Sequence, residues 1–206
     1  MSNWCDTEYI IIGNSESIHN LFSILEKLPT IEDPSYNEGD FGRMWCGNLV
    51  NILGGDWKEV YCRGWISDYK LVSQTNLQFD VISAWDELND WRKFILTKYP
   101  DVTIYYYSEE PGTCIYKTND VSGNYFPQRY IIRTNVPEEV TFCCRNNEEL
   151  FSFMKRFSDT EITTVEQAEL ILKKEVLLRN LNHKYKDKEG NLIVYARLYK
   201  IEVMED

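Results

Sequence analysis

Four residues in the first 120 carry side chains suited to chemistry: Trp85 and, close together in sequence, Tyr107, Glu109 and Glu110. Two neighbouring carboxylates can divide proton transfer between an acid and a base, and an aromatic floor beside them can hold a sugar-like or cationic ligand. Trp85 stands at a strand end just before a helix, and the glutamates follow a tyrosine-rich strand. The four therefore meet only if those strand ends meet. The plainer reading is that Trp85 caps the core and the glutamates form a solvated acidic turn. No other catalytic pattern is present. No serine stands in a Gly-x-Ser-x-Gly setting, Gly54-Gly55 lacks the Gly-Lys-Ser/Thr of a phosphate loop, and no cysteine has an obvious histidine base. The expectation is a protein without catalytic residues. A small-molecule binder or carboxylate-dependent hydrolase built on Trp85 and Glu109/Glu110 is the alternative.

Metal and cofactor chemistry is not expected either. The cysteines are Cys5, Cys46, Cys62, Cys114, Cys143 and Cys144, with no pair at zinc-knuckle spacing, and His19 and His183 are isolated. Cys143 and Cys144, if they lie in a strand, point to opposite faces, one buried and one exposed. The even cysteine count of a chain without an export signal does not imply disulfides.

Charge narrows the partner. The chain has 22 basic and 33 acidic residues, a net of −11. Nine basic and nineteen acidic residues fall in residues 1–120, so nearly all of the excess lies there. Such a body repels phosphate backbones, and nucleic acid is disfavoured as a partner. Thr103, Tyr105 and Tyr107 alternate onto one side of a strand, the two tyrosines as the base-stacking aromatics of RNA-recognition sheets do, and Arg63-Gly64-Trp65 echoes an RNA-binding signature. Ile66-Ser67-Asp68 breaks that signature, in a domain of the wrong charge. An acidic surface that includes Glu32, Asp33, Glu38 and Asp40 points instead to a protein partner, a basic one, with DNA mimicry as one version. Asp6 and Glu8 interrupt any apolar leader and no stretch has the length of a membrane span, so no membrane partner and a cytoplasmic location are expected. A structural subunit that self-assembles into a homo-oligomer is the remaining reading.

The elements that would position these residues follow from periodicity. Trp4 to Ile12 reads as a strand, Gly13-Asn14-Ser15 as a break with an N-cap, and Ile18, Leu21, Phe22, Leu25 and Leu28 as one helical stripe stopped by Pro29. An insertion at about residues 30–58 contains a short helix ended by Gly54-Gly55. Strands are expected from Glu59 to Leu71 and from Leu77 to Ala84. Asp86-Glu87 then opens a helix with Leu88, Trp91, Phe94 and Ile95 buried, and Val102 to Tyr107 forms a strand with a hairpin partner at Cys114 to Lys117. Beyond residue 120 come strands at Arg129–Arg133 and Val140–Cys144, a short helix through Leu150, Phe151, Met154 and Phe157, and a longer helix with a Thr164/Gln167 capping box. A strand from Leu192 to Val203 closes the chain. The order strand, helix, strand, strand, helix, strand predicts an α+β protein. Residues 1–120 form a ferredoxin-like βαββαβ core with helices on one face of an antiparallel sheet, and residues 121–206 form an α/β extension.

Asn3-Trp4-Cys5, the strand ending at Gly13, the run from Phe79 to Ala84-Trp85 before a helix, the Tyr99-Pro100 exit and the Glu109-Glu110-x-Gly112 turn together resemble the YubB-type ferredoxin-like domain family of plasmid, phage and bacterial mobile-element proteins. The resemblance covers roughly residues 1–120. It implies a ferredoxin-like core in a bacterial mobile-element setting and transfers no catalytic residue. The chain departs from the family in having Asp86-Glu87 where prolines often follow the Ala-Trp pair.

Overall fold

The computed structural model describes residues 3–31, 41–135, 138–181 and 194–205, and shows a mixed α+β protein. The chain divides into two compact units, one of Met1–Phe126 with Val203–Asp206 and one of Pro127–Glu202.

In the first unit, β1 (Trp4–Ile12) leads to α1 (Ser15–Lys27), whose end tightens into a 3-10 turn at Leu28–Thr30 around Pro29. The Asn14 side chain caps α1 by accepting the Ser17 amide at 2.9 Å. A short helix α2 (Cys46–Ile52) precedes the hairpin of β2 (Gly64–Ser73) and β3 (Asn76–Ala84). Helix α3 (Asn89–Lys98), β4 (Thr103–Glu110) and β5 (Ile115–Thr118) follow. The strand order is β2-β3-β1-β4-β5-β9, where β9 is the two-residue strand Glu202–Val203. Strand β1 lies antiparallel between β3 and β4, and β2 pairs antiparallel with β3.

Period-two alternation sorts the side chains of this sheet. Leu77, Phe79 and Val81 are buried on one face with Tyr9 and Ile11, and α1 and α3 cover that face with Leu21, Leu25, Trp91 and Ile95. Trp91 anchors α3 by donating its indole N–H to the Cys46 carbonyl at 3.0 Å. Gly64 opens β2 because a Cβ there would stand 2.5 Å from the Ile82 carbonyl oxygen.

The second unit holds a three-stranded antiparallel sheet in the order β7-β6-β8, from β6 (Tyr130–Thr134), β7 (Val140–Cys144) and β8 (Ala196–Lys200). Helices α4 (Asn147–Met154) and α5 (Val165–Leu181) supply Leu150, Met154, Ala168 and Leu172 to its core. The capping box forms as expected: Thr164 Oγ1 accepts the Gln167 amide and Gln167 Oε1 accepts the Thr164 amide, each at 3.3 Å. Cys144 is buried and Cys143 exposed, as strand alternation requires.

Three element boundaries differ most from expectation. Strand β2 starts at Gly64, not at Glu59, because residues 56–59 close a turn in which the Glu59 amide donates to the Asp56 carbonyl at 3.0 Å. Helix α3 starts at Asn89, not at Asp86, because the Ser83 hydroxyl donates to the Asp86 carbonyl at 2.7 Å and bends the chain at residues 85–86 before the helix. The closing strand is broken at Ile201, with β8 and β9 assigned to different sheets.

Candidate functional site

Strand register assembles an acidic field on the sheet face opposite α1 and α3. Asp68 of β2 stands across from Asp80 of β3, Asp80 across from Glu8 of β1, and Glu8 across from Tyr107 of β4. One step along, Trp65, Ile82, Asp6 and Glu109 form the next row. Neighbouring strands lie about 4.8 Å apart and same-face residues about 6.8 Å apart, so five carboxylates share a small patch. Asp68 belongs to it through a β-bulge: the register shifts between Ile66 and Asp68. Strict alternation from the buried Ile66 would turn Asp68 into the core and Tyr69 outward. The extra residue, Ser67, reverses this, and Tyr69 packs edge-on against Phe22 at 6.1 Å.

Three of these carboxylates, Asp6, Glu8 and Asp80, are raised by burial and by a neighbouring carboxylate charge. Partial burial lifts the Asp6 carboxyl above its ordinary range, and the Glu109 charge lifts it further. Burial and the Asp80 charge do the same for Glu8, against smaller opposing effects from Lys70 and from Gln78, whose amide donates to Glu8 Oε1. Asp80 is raised by burial and then by Asp68 and Asp6, with Lys70 again opposing. Aromatic rings border the patch. Trp4, two residues from Asp6 on the same strand face, meets Trp65 at 5.1 Å, and Phe41 lies 5.7 Å from Trp65. On the other side Tyr105 meets Tyr125 at 4.6 Å. Among the described residues, no three Asp, Glu, Cys or His side chains are arranged to hold a metal ion.

Of the four residues singled out by sequence, the two glutamates turn to opposite faces. Tyr107 and Glu109 share the acidic face, where the Tyr107 hydroxyl donates to Glu109 Oε2 at 3.1 Å. Glu110, next in the same strand, turns to the opposite face and is only 3% exposed. Its carboxylate accepts the Gly112 and Thr113 amides at 2.8 and 2.5 Å and the Thr113 hydroxyl, closing the turn after β4. Burial pushes its pKa up, but the hydrogen bonds led by Thr113 outweigh burial and hold it below the ordinary value. A paired-carboxylate site at Glu109 and Glu110 is therefore not formed; Glu109 faces Asp6 instead. Trp85 is 47% exposed with a left-handed φ of 75°, and its backbone amide donates to the Asn3 carbonyl at 2.9 Å. Glu32, Asp33, Glu38 and Asp40 lie outside the described residues.

A second constellation escaped the sequence reading. Glu87, placed by the turn before α3, accepts the Tyr9 hydroxyl at 2.9 Å and Arg92 Nε at 3.0 Å. Arg92 also donates to Asn89 Oδ1 at 3.0 Å and lies over the Tyr106 ring at 4.9 Å. Both charged side chains are at most 5% exposed. Burial raises the Glu87 carboxyl despite the opposing Arg92 charge. Beside them, Lys117 Nζ meets Asp86 Oδ2 at 2.6 Å, and a cavity of about 320 Å³ opens between these groups. The signal was present: Arg92 falls between Leu88 and Ile95 at helical spacing, so a cation on the buried stripe of α3 required a buried anion.

No protein-family model matches the chain, and no curated protein or solved structure shows significant similarity to it.

Proposed function

We propose that this chain is a non-enzymatic binding module whose open acidic sheet face docks a basic protein, in the cytoplasm of a bacterium and in the setting of a plasmid, phage or other mobile element. The observation that carries the reading is the row of Asp68, Asp80 and Glu8 beside the Asp6/Glu109 pair. Burial and like charge both disfavour the ionised forms of Asp6, Glu8 and Asp80, and arriving cationic side chains relieve both. The aromatic border of Trp4, Trp65 and Tyr105 offers π faces for lysine or arginine. A ferredoxin-like core is the matching fold proposal. The adjacent strands β2-β3-β1-β4, antiparallel at each pairing, and two helices on one face support it.

The test uses the wild-type chain and an Asp6→Asn/Glu8→Gln/Asp80→Asn variant as immobilised baits in nuclease-treated bacterial lysate. A defined basic protein should be retained at low salt, released at high salt, and absent from the variant. Competition by duplex DNA for that protein would specify the DNA-mimic version. Capture that ignores salt, or that is equal on the variant, removes the reading. Sedimentation at micromolar concentration separates it from self-assembly, which requires a stable homo-oligomer.

A further inference from the structure

The cavity beside α3 is independent of the open face and has a different electrostatic character. Cations reach it from two elements, Arg92 and Lys93 from α3 and Lys117 from β5, while Asp86, Glu87 and Glu205 line it as anions. Its volume of about 320 Å³ is at the small end of ligand pockets. The formal charges balance, so the sign of a ligand depends on which existing pair can open.

The Glu87–Arg92 pair cannot open cheaply. Its side chains are 5% and 3% exposed, and separating them would leave a buried charge uncompensated. The Lys117–Asp86 pair is different, because the Asp86 side chain is 42% exposed and that of Lys117 is 23% exposed. A cation would take Asp86 and strand the more buried Lys117 ammonium. An anion would take Lys117 and release Asp86 Oδ2 to solvent. Asp86 would keep its fold role meanwhile, because its other oxygen accepts the Glu87 amide at 2.8 Å. Asp86 is in effect a small carboxylate already seated on Lys117. The Arg92 guanidinium, 4.9 Å from the centre of the Tyr106 ring, and that ring belong to the same lining and stay in place when Lys117 changes partner.

We propose that this cavity binds a small oxyanion, a carboxylate or phosphate group that replaces the Asp86 carboxylate on Lys117. The test is a ¹H–¹⁵N NMR titration of the full chain with sodium phosphate and, separately, with sodium acetate, at constant ionic strength. The two arms distinguish a phosphate from a carboxylate ligand. Saturable shifts at Asn89, Arg92 and Lys117 are expected with at least one anion. Lys117→Gln should weaken binding about tenfold, the loss of one charge-assisted hydrogen bond. Asp86→Asn retains an oxygen for the Glu87 amide and loses the competing charge, so it should bind severalfold tighter. A merely structural ion pair would give no such gain. Non-saturating drift with both anions, wild-type affinity in Lys117→Gln, or weaker binding in a folded Asp86→Asn variant would overturn the proposal.

Discussion

On the covered face of the first unit's sheet, Glu87 has Arg92 and Tyr9 within 3.0 Å. On the open face of the same sheet, Asp80 has Asp68 on one side and Glu8 on the other. The same residue types thus occupy two faces a few ångströms apart under opposite rules. Where burial is deep, every carboxylate described is matched by donors, as a stable fold demands. On the half-buried open face, like charges stand next to one another across strands, an arrangement that weakens a sheet. Folding explains the first placement and is opposed by the second. Local conflict of that kind is what functional surfaces tend to retain.

The comparison breaks most easily at the buried pair. Arg92→Met leaves Glu87 buried without its cation, and a loss of about 3–5 kcal/mol is expected in denaturant unfolding. Replacing both partners, Glu87→Leu with Arg92→Met, should recover most of that loss, because no buried charge then remains. If the single substitution costs less than about 1 kcal/mol, Glu87 does not depend on its cation and the covered face is not governed by matching.

Smaller losses are expected at the other matched carboxylates. Asp120 accepts the Gly123 amide at 2.9 Å, the Tyr125 and Phe126 amides at 2.6 and 2.8 Å, and the Ser122 hydroxyl. Asp120→Ala should cost about 1–3 kcal/mol by leaving those donors without an acceptor. The pKa of Asp120 is lowered: burial raises it, but the amide bonds led by Phe126 outweigh burial. Glu110 is lowered in the same way. A depressed carboxylate contributes stability that is present above its unfolded value, near 3.8 for Asp and 4.5 for Glu, and lost as pH falls through the folded value. Acid titration of Glu110→Gln should therefore show a shallower loss of stability than wild type in that range.

Local pattern carried much of this fold. The alternation of Leu77, Phe79 and Val81 marked a strand with one buried face, and the Thr164/Gln167 spacing marked a helix start that forms both of its capping bonds. The acidic row was not legible, because Asp68, Asp80 and Glu8 come from three strands and meet only through register. The bulge at Ser67 hid it further, since plain alternation assigns Asp68 to the core. Glu87 was misread for the opposite reason. An acid before a helix ordinarily serves the helix dipole, and here the chain delays the helix to turn that acid inward.

The bulge gives a sharper test of the open face. Deleting Ser67 would restore regular alternation with Asp68 still outward and Tyr69 still inward. The expected cost is the Ser67 hydroxyl bond to the Asp80 carbonyl, about 1 kcal/mol, with partner binding retained. A much larger loss would mean that the bulge shapes the sheet itself and that the acidic row is a by-product.

The smallest effect has the most diagnostic sign. Asp6, Glu8 and Asp80 are raised in the folded protein, so the folded state holds their protons more tightly than the unfolded chain does. Their contribution is therefore most favourable at low pH and declines as pH rises through the range just above ordinary carboxylate values. At neutral pH they oppose folding, and Asp80→Asn should raise the melting temperature slightly. The gain should shrink with added salt, which screens the repulsion, and vanish at acid pH, where wild-type Asp80 is already protonated. The same substitution should weaken capture of the basic partner. Stability and binding moving in opposite directions is the signature of a surface charged for something other than the fold. An Asp80→Asn variant that is less stable at neutral pH would place Asp80 among the matched carboxylates and erase the difference between the two faces.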